Sequence, residues 1–226
     1  MPNIEGDTNG LNIPITVSPN DLEEYLSQHT TPEDDVLYTL QRHTQLTTYH
    51  PRMVSGQVQG KFLELVSHMV NPMRILEIGT FTGYSAICLA RGLAPLGHLH
   101  TIEINDEVVD TAREYINRAG LTNRITVHVG DALNVIPTLN EKFDLVLIDG
   151  DKRQYPQYLD CVMNCLNSQG VILADNVLWG GKVLDYKCKD PFTVALREFN
   201  SMVQRDPRLE NVLVPLRDGL MMIRHL

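Results

Sequence analysis

The chain has 226 residues, 43% hydrophobic and 21% charged, enough for one domain with a sizeable core. Its formal net charge of −9, with no Lys/Arg-rich run, argues against a nucleic-acid binder held mainly by phosphate contacts. No apolar run approaches the roughly 18 residues of a membrane span, and residues 1–19 carry Glu5 and Asp7 with neither a basic nor an apolar segment, so a cytoplasmic protein without membrane partners is expected.

Residues 1–19, with Gly6, Gly10, Pro14 and Pro19, read as a loose arm. Two amphipathic helices are predicted next, Asp21–Gln28 and Pro32–Thr48, the second capped by Thr31 with proline at its first position. A third, Gly56–Met69, would place Phe62, Leu65, Val66 and Met69 on one buried stripe, and Pro72 closes this helical cap over residues 20–72. From residue 73 short apolar strands alternate with helices. The strands are Ile75–Gly79, Leu99–Ile104, Ile125–Gly130, Phe143–Asp149 and Val171–Ala174; the helices are Gly83–Gly92, Asp106–Ala119, Ala132–Leu139 and Tyr155–Leu166. Such alternation implies an α/β fold, a parallel sheet with right-handed crossovers, and Leu145-Val146-Leu147-Ile148 reads as a strand covered on both faces. A helix near Phe192–Asp206 and strands Val212–Leu216 and Leu220–Arg224, joined by a tight turn at Asp218-Gly219, finish a core over residues 73–226 with one antiparallel edge. Cys88, Cys161, Cys165 and Cys188 are too scattered for a disulfide framework and read as buried, reduced packing residues.

Ligands of such sheets bind at the carboxyl ends of the strands, where strand order reverses. The first strand runs into Glu77-Ile78-Gly79-Thr80-Phe81-Thr82-Gly83-Tyr84-Ser85. Its glycines are four apart, not in the G-x-G-x-x-G spacing of a dinucleotide site, which counts against a nicotinamide dehydrogenase. Gly79 lets a ligand approach the backbone, and the helix from Gly83 offers free N–H groups to an anion. Glu103 ends the second strand, placed to accept both hydroxyls of an unphosphorylated ribose. Together these describe a nucleoside with a small carboxylate and no diphosphate, as in S-adenosylmethionine. Asp131-Ala132 would flank its adenine, although Asp131 serves equally as a helix cap.

The fourth strand ends Asp149-Gly150-Asp151-Lys152 and the fifth ends Asp175-Asn176. Asp149, Asp175 and Asn176 are three oxygen donors at adjacent strand ends, a set suited to Mg²⁺, with Mn²⁺ and Ca²⁺ as alternatives, rather than zinc. A phenol of pKa ~10 is only about 0.1% ionised at neutral pH, so a cation that favours the oxyanion and a base that takes the proton both help methyl transfer to oxygen. Lys152 is the candidate base, its pKa lowered by the metal's charge, against the alternative of a surface lysine paired with Asp149 or Asp151. Trp179, the one tryptophan, is placed to wall an aromatic substrate or to pack its loop on the core, and His50-Pro51-Arg52-Met53 to cover the cofactor.

These stretches, with Gln59-Gly60-Lys61-Phe62-Leu63 and Leu216-Arg217-Asp218-Gly219-Leu220, resemble the caffeoyl-CoA/catechol O-methyltransferase family from about Met53 onward. The resemblance implies a Rossmann-like, seven-stranded, mostly parallel sheet with helices on both faces, and a homodimer. It implies cofactor contacts from Ser55, Glu77, Gly79, Thr80, Ser85, Glu103, Ala132 and Asp151, metal ligation by Asp149, Asp175 and Asn176, and Lys152 as base. Gly150 replaces a common alanine, a change of little expected effect. Gly180 stands where plant members carry a substrate-binding asparagine, and the N-terminal helices differ from the plant segment that grips CoA, so a small catechol-like aromatic is the expected acceptor. A hydroxylated uridine in tRNA, disfavoured by the net charge, and a non-catalytic S-adenosylmethionine-binding module are the competing readings.

Overall fold

A computed structural model describes residues 19–226; of the expected arm only Pro19 falls within them. Three helices come first: α1 (Pro19–Gln28), α2 (Asp35–Thr47) and α3 (Gly56–Val70), with a 3₁₀ turn at Pro51–Met53. Then follow β1 (Arg74–Ile78), α4 (Tyr84–Arg91), β2 (His98–Glu103), α5 (Val109–Arg118), β3 (Ile125–Val129), α6 (Ala132–Leu139), β4 (Phe143–Ile148), α7 (Tyr155–Met163), β5 (Leu166–Ala174), α8 (Pro191–Arg205), β6 (Leu209–Val214) and β7 (Leu220–His225). The seven strands form one sheet in the order β3-β2-β1-β4-β5-β7-β6, parallel except where β7 pairs with β5 and β6. Strand order reverses between β1 and β4. There Ile78 lies level with Ile102 and Ile148, and Ile148 with Ala174, so the residues that follow these strands emerge side by side. Leu145, Val146, Leu147 and Ile148 are all buried because one layer of helices covers each face of the sheet.

Four local expectations are corrected. Helix α2 starts three residues late, capped by Asp34, whose Oδ1 accepts from Leu37 N at 3.0 Å, not by Thr31. The Gln57 side chain donates to the carbonyls of Ser27 and Thr30 at 3.0 Å each, and Glu33 accepts the Tyr84 hydroxyl, which together hold this stretch out of the helix. On α3 the buried face is Gln59, Gly60, Leu63, Val66 and Ser67, while Leu65 and Met69 are exposed. Small and polar residues win because α3 lies close on α4: a Cβ at Gly60 would meet Tyr84 Cε1 at 2.5 Å, and Ser67 Oγ donates to Leu89 O at 2.7 Å. Helix α7 ends at Met163, for β5 begins at Leu166, in a polar stretch with no strand pattern. The β6–β7 connection spans residues 215–219 rather than a two-residue turn, with Arg217 and Gly219 at positive φ (49° and 84°). All four cysteines are free, but only Cys88 is fully buried.

His98 and His100 on β2 and His128 on β3 form a half-buried ladder, His100 Nδ1 lying 2.9 Å from His128 Nε2. Burial lowers all three pKa values, His100 to about 4 despite Glu141 3.6 Å away and with Arg74 nearby opposing protonation. The neutral forms are therefore favoured in the fold. Above the ordinary value of 6.5 both folded and unfolded chains hold neutral imidazoles; as pH falls from 6.5 towards about 4 the unfolded chain gains protons first, and stability is lost. Thermal midpoints followed by circular dichroism are expected to fall through that window, and to fall less steeply in His100→Gln.

Candidate active site

A cavity of about 1170 Å³ opens at the carboxyl ends of β1, β2, β4 and β5. Gly79, Glu103, Asp131, Ala132, Asp149, Asp151, Lys152, Asp175, Asn176 and Trp179 line it, as do His50, Pro51, Arg52 and Met53. Ser55, Glu77, Thr80 and Ser85 lie behind its wall, each no more than 8% exposed. Among the described residues six non-glycines have positive φ: Asn71 and Asn140 cap helix C-termini, and the other four, Phe81, Asn176, Trp179 and Arg217, all line this cavity. Backbone strain of this kind gathers where geometry serves function.

The floor is built by β1. Gly79 has φ +101°, and a Cβ there would lie 2.4 Å from Asp149 O, so glycine is required where the β1 and β4 ends meet. Below it, Glu77 is fully buried, and burial pushes its carboxyl up to about 8 against the pull of the nearby Ser85 and Thr101 hydroxyls. Thr101 Oγ1 donates to Glu77 Oε2 at 2.5 Å and takes a hydrogen bond from Thr80 Oγ1, while Glu77 Oε1 has no hydrogen-bond partner among the described residues. Glu103 accepts from Phe81 N (2.7 Å) on one oxygen and Asn105 N (2.8 Å) on the other, leaving each a further lone pair. Asp131 caps α6 through Leu133 N at 2.8 Å, the second of the two roles open to it. The Asp151 carboxylate is engaged by Arg153 in a two-pronged pair, with Nε 3.0 Å from each oxygen, which holds it below the usual carboxylate range.

Beside the floor the acids converge. Asp175 is 4% exposed; burial first, then the charge of Asp149, push its carboxyl up to about 6. Its Oδ1 accepts from Asn176 N at 2.7 Å and its Oδ2 from Gln59 Nε2 at 2.6 Å. Lys152, 9% exposed, sets its ammonium 2.7 Å from Asp149 Oδ1, so Asp149 rather than Asp151 is its partner. The Tyr155 hydroxyl shares its proton between Ile148 O (3.1 Å) and Asp175 O (2.8 Å), pinning the two strand ends together. Among the described residues no three His, Cys, Asp or Glu side chains could hold a metal ion; the donor set here is two carboxylates and one carboxamide, with both carboxylates crowded by like charge.

The outer wall is aromatic. Trp179 stacks on Phe192 with ring centroids 5.6 Å apart and 23° between planes; Arg153 lies 5.3 Å over Phe192 and Lys182 6.0 Å over Trp179. Trp179 thus packs its loop and faces the cavity at once. The loop bearing it is held by the β6–β7 connection: Leu178 N donates to Asp218 O at 2.9 Å and Gly180 N to Asp218 Oδ1 at 2.5 Å, while a Cβ on Gly219 would meet Leu178 Cγ at 2.5 Å. Gly150 meets Ile78 and Tyr158 so closely that a methyl group would sit 3.0 Å from Ile78 Cγ2; the Tyr158 ring uses the space an alanine would need. The sequence alone assigned no role in the site to Gln59, Arg217, Tyr155, Phe192 or Arg153, and marked Asp218 only as part of a turn. The matching of the Gln59 and Arg217 stretches to a family was the one other signal for any of them.

The O-methyltransferase family profile matches residues 27–226. The chain belongs to the O-methyltransferase family. It is an S-adenosylmethionine-dependent O-methyltransferase of the catechol/caffeoyl-CoA type, and the likeness starts well before Met53, including most of the helical cap. Its relatives include a catechol O-methyltransferase of Niastella koreensis, 32% identical over 199 residues, covering 86% of this chain and 90% of the relative. A catechol O-methyltransferase of Mycobacterium tuberculosis is 39% identical over 161 residues, covering 71% of this chain and 73% of the relative. Among solved structures, an O-methyltransferase from Bacillus cereus in complex with SAH superposes with a TM-score of 0.84 at 31% identity, over 91% of this chain and 97% of that one. Among the described residues of this O-methyltransferase no helix is long and apolar enough to cross a membrane.

Proposed function

We propose that this O-methyltransferase methylates one hydroxyl of a small aromatic diol, a catechol-like acceptor, held on a divalent cation at Asp149, Asp175 and Asn176. The observation that carries the reading is the meeting of two crowded carboxylates from neighbouring strand ends with a buried ammonium, Lys152, at 2.7 Å from one of them. An Asp175 carboxyl pushed up by burial and by the charge of Asp149 fits a cation that relieves that repulsion, and an all-oxygen donor set fits Mg²⁺, or Mn²⁺ or Ca²⁺ in its place. The names of the Niastella and mycobacterial relatives add support for a catechol.

Bound S-adenosylmethionine supplies the electrophilic methyl group, and a bound divalent cation stabilises the acceptor as its oxyanion. The chain's own residues do the rest. Glu103 offers its remaining lone pairs to the ribose, and Gly79 and Thr80 bring the backbone against the cofactor. Ser55, Ser85 and the orphaned Glu77 oxygen serve its amino-acid end, while Asp131, Ala132 and Asp151 flank the adenine and sulfonium regions. Lys152, once its ammonium has released a proton to solvent, takes the hydroxyl proton at its Nζ as a neutral amine, with Asp149 holding it in place as well as binding metal. Trp179 walls the acceptor ring, and the enzyme works as a homodimer. A tRNA substrate finds little in the cavity, where Lys152, Arg153 and Arg217 are each engaged with Asp149, Asp151 or the main chain, leaving Arg52 as the lining guanidinium or ammonium whose side chain has no partner among the described residues.

The test is direct. Pure enzyme with S-adenosylmethionine and a simple catechol is expected to form S-adenosylhomocysteine with Mg²⁺ and to stop with EDTA. Turnover unaffected by EDTA would refute the metal reading, and cofactor binding without catechol turnover would send the search to other acceptors.

A further inference from the structure

One buried amide links the strand ends to the rim of the cavity. Gln59 on α3 is 2% exposed. Its Nε2 donates to Asp175 Oδ2 at 2.6 Å, and its Oε1 accepts from Arg217 Nη1 at 3.0 Å. The neighbours fix which way the amide points: turned over, it would set N–H against guanidinium and carbonyl against carboxylate. A glutamate in this place would bring a second negative charge onto Asp175. Arg217, held at φ 49° on the β6–β7 connection, does not stop at Gln59. Its Nη1 also donates to Val54 O at 2.9 Å and to Ser55 O, and its Nη2 reaches Arg52 O at 3.5 Å. One guanidinium therefore grips the main chain of residues 52–55, at the cavity rim, and through Gln59 one oxygen of Asp175.

We propose that Gln59 and Arg217 are positioning residues: Gln59 sets the orientation of Asp175 toward the divalent cation, and Arg217 ties that orientation to the loop at residues 52–55. The proposal rests on the metal reading above. Partners that orient a ligand are typically worth 10–100-fold in metal affinity, although they never touch the ion. The relay also makes a demand that a merely structural role would not. Gln59 touches Asp175 but not the loop, so its loss weakens metal and spares the cofactor, whereas loss of Arg217 weakens both.

Calorimetric titration of the full chain separates these effects, with Mn²⁺ as the metal probe in the absence of cofactor and S-adenosylhomocysteine as the cofactor probe in EDTA. Gln59→Leu is expected to lower Mn²⁺ affinity about 10–100-fold and to leave S-adenosylhomocysteine affinity within about twofold of wild type. Arg217→Met is expected to lower both by about tenfold or more. In the double variant the Mn²⁺ losses should fall well short of additive, because the two residues act in series on one carboxylate. If Gln59→Leu does not fold, Gln59→Met, closer in shape, takes its place. Wild-type Mn²⁺ affinity in the Gln59 variant, or fully additive losses in the double, would overturn the relay alone. A wild-type chain that binds no Mn²⁺ would overturn it together with the metal reading.

Discussion

Asp149→Asn is expected to lower kcat/KM for a catechol by on the order of 10²–10³-fold or more in the presence of Mg²⁺, while S-adenosylhomocysteine affinity stays within a few-fold of wild type. The substitution keeps the size of the side chain at the end of β4 and removes its charge. Two consequences follow from the geometry. The donor set loses one of its two carboxylates, and hard divalent cations depend on anionic oxygen more than on amide oxygen. Lys152 loses the carboxylate that holds its ammonium at 2.7 Å, so metal site and base fail together. For the same reason Asp149→Asn combined with Lys152→Met should cost little more than the worse of the two, since groups that act as a unit are not additive. Asp175, whose carboxyl is pushed up partly by Asp149, should also drop back toward the ordinary range in this variant. Turnover assays with and without Mg²⁺, set beside cofactor titrations, decide the matter. If the variant kept more than about a tenth of wild-type turnover, Asp149 would be neither ligand nor partner of the base.

Much of this site could be read before the fold, and the reason is topological. In a parallel sheet each informative residue follows its strand directly, so Gly79, Glu103, Asp149 and Asp175 could be picked from hydrophobic runs alone, and registering Ile78 with Ile102 and Ile148 brings them level. What could not be read was whatever depends on two distant segments meeting. Gln59 and Asp175 are 116 residues apart, and Arg217 reaches Val54 across 163. Nothing in the local pattern of α3 says that its buried face would carry Gln59 and Gly60 rather than Leu65 and Met69. The apolar stripe was the sound expectation from periodicity, and close packing against α4 reversed it. Phe192 was visible only as the start of a helix, because its stacking on Trp179 depends on how the intervening 3₁₀ segment folds back. Asp218-Gly219 shows the same limit. A turn signal was present, yet its use is to clamp the Asn176–Gly180 loop, and the five-residue connection needed for that carries no turn signature of its own.

Lys152→Met is expected to reduce kcat by roughly 10²–10⁴-fold near neutral pH, with the deficit shrinking as pH rises toward ~10. The side chain is all but buried, and methionine replaces its aliphatic stem at nearly equal length, so packing beneath Tyr155 should survive; the ammonium lies 5.3 Å from that ring. What disappears is the one amine placed beside the proposed oxyanion. In its absence the acceptor must ionise unaided, and the fraction ionised rises about tenfold for each pH unit below the phenol's own pKa. A plot of log kcat against pH should therefore rise with a slope near one in the variant and run flatter in the wild type. Acceptors of lower pKa, such as a nitro-substituted catechol, should suffer less from the substitution than catechol itself. Lys152→Arg should not restore the rate, because a guanidinium keeps its proton throughout this range. The competing account makes Lys152 a structural counter-ion to Asp149, and it predicts something different. Loss of the ammonium would then weaken metal or acceptor binding equally at every pH, raising KM and leaving the shape of the profile alone. A deficit constant across the pH range and equal for both acceptors would thus remove Lys152 as the base and leave proton removal to water or to another group.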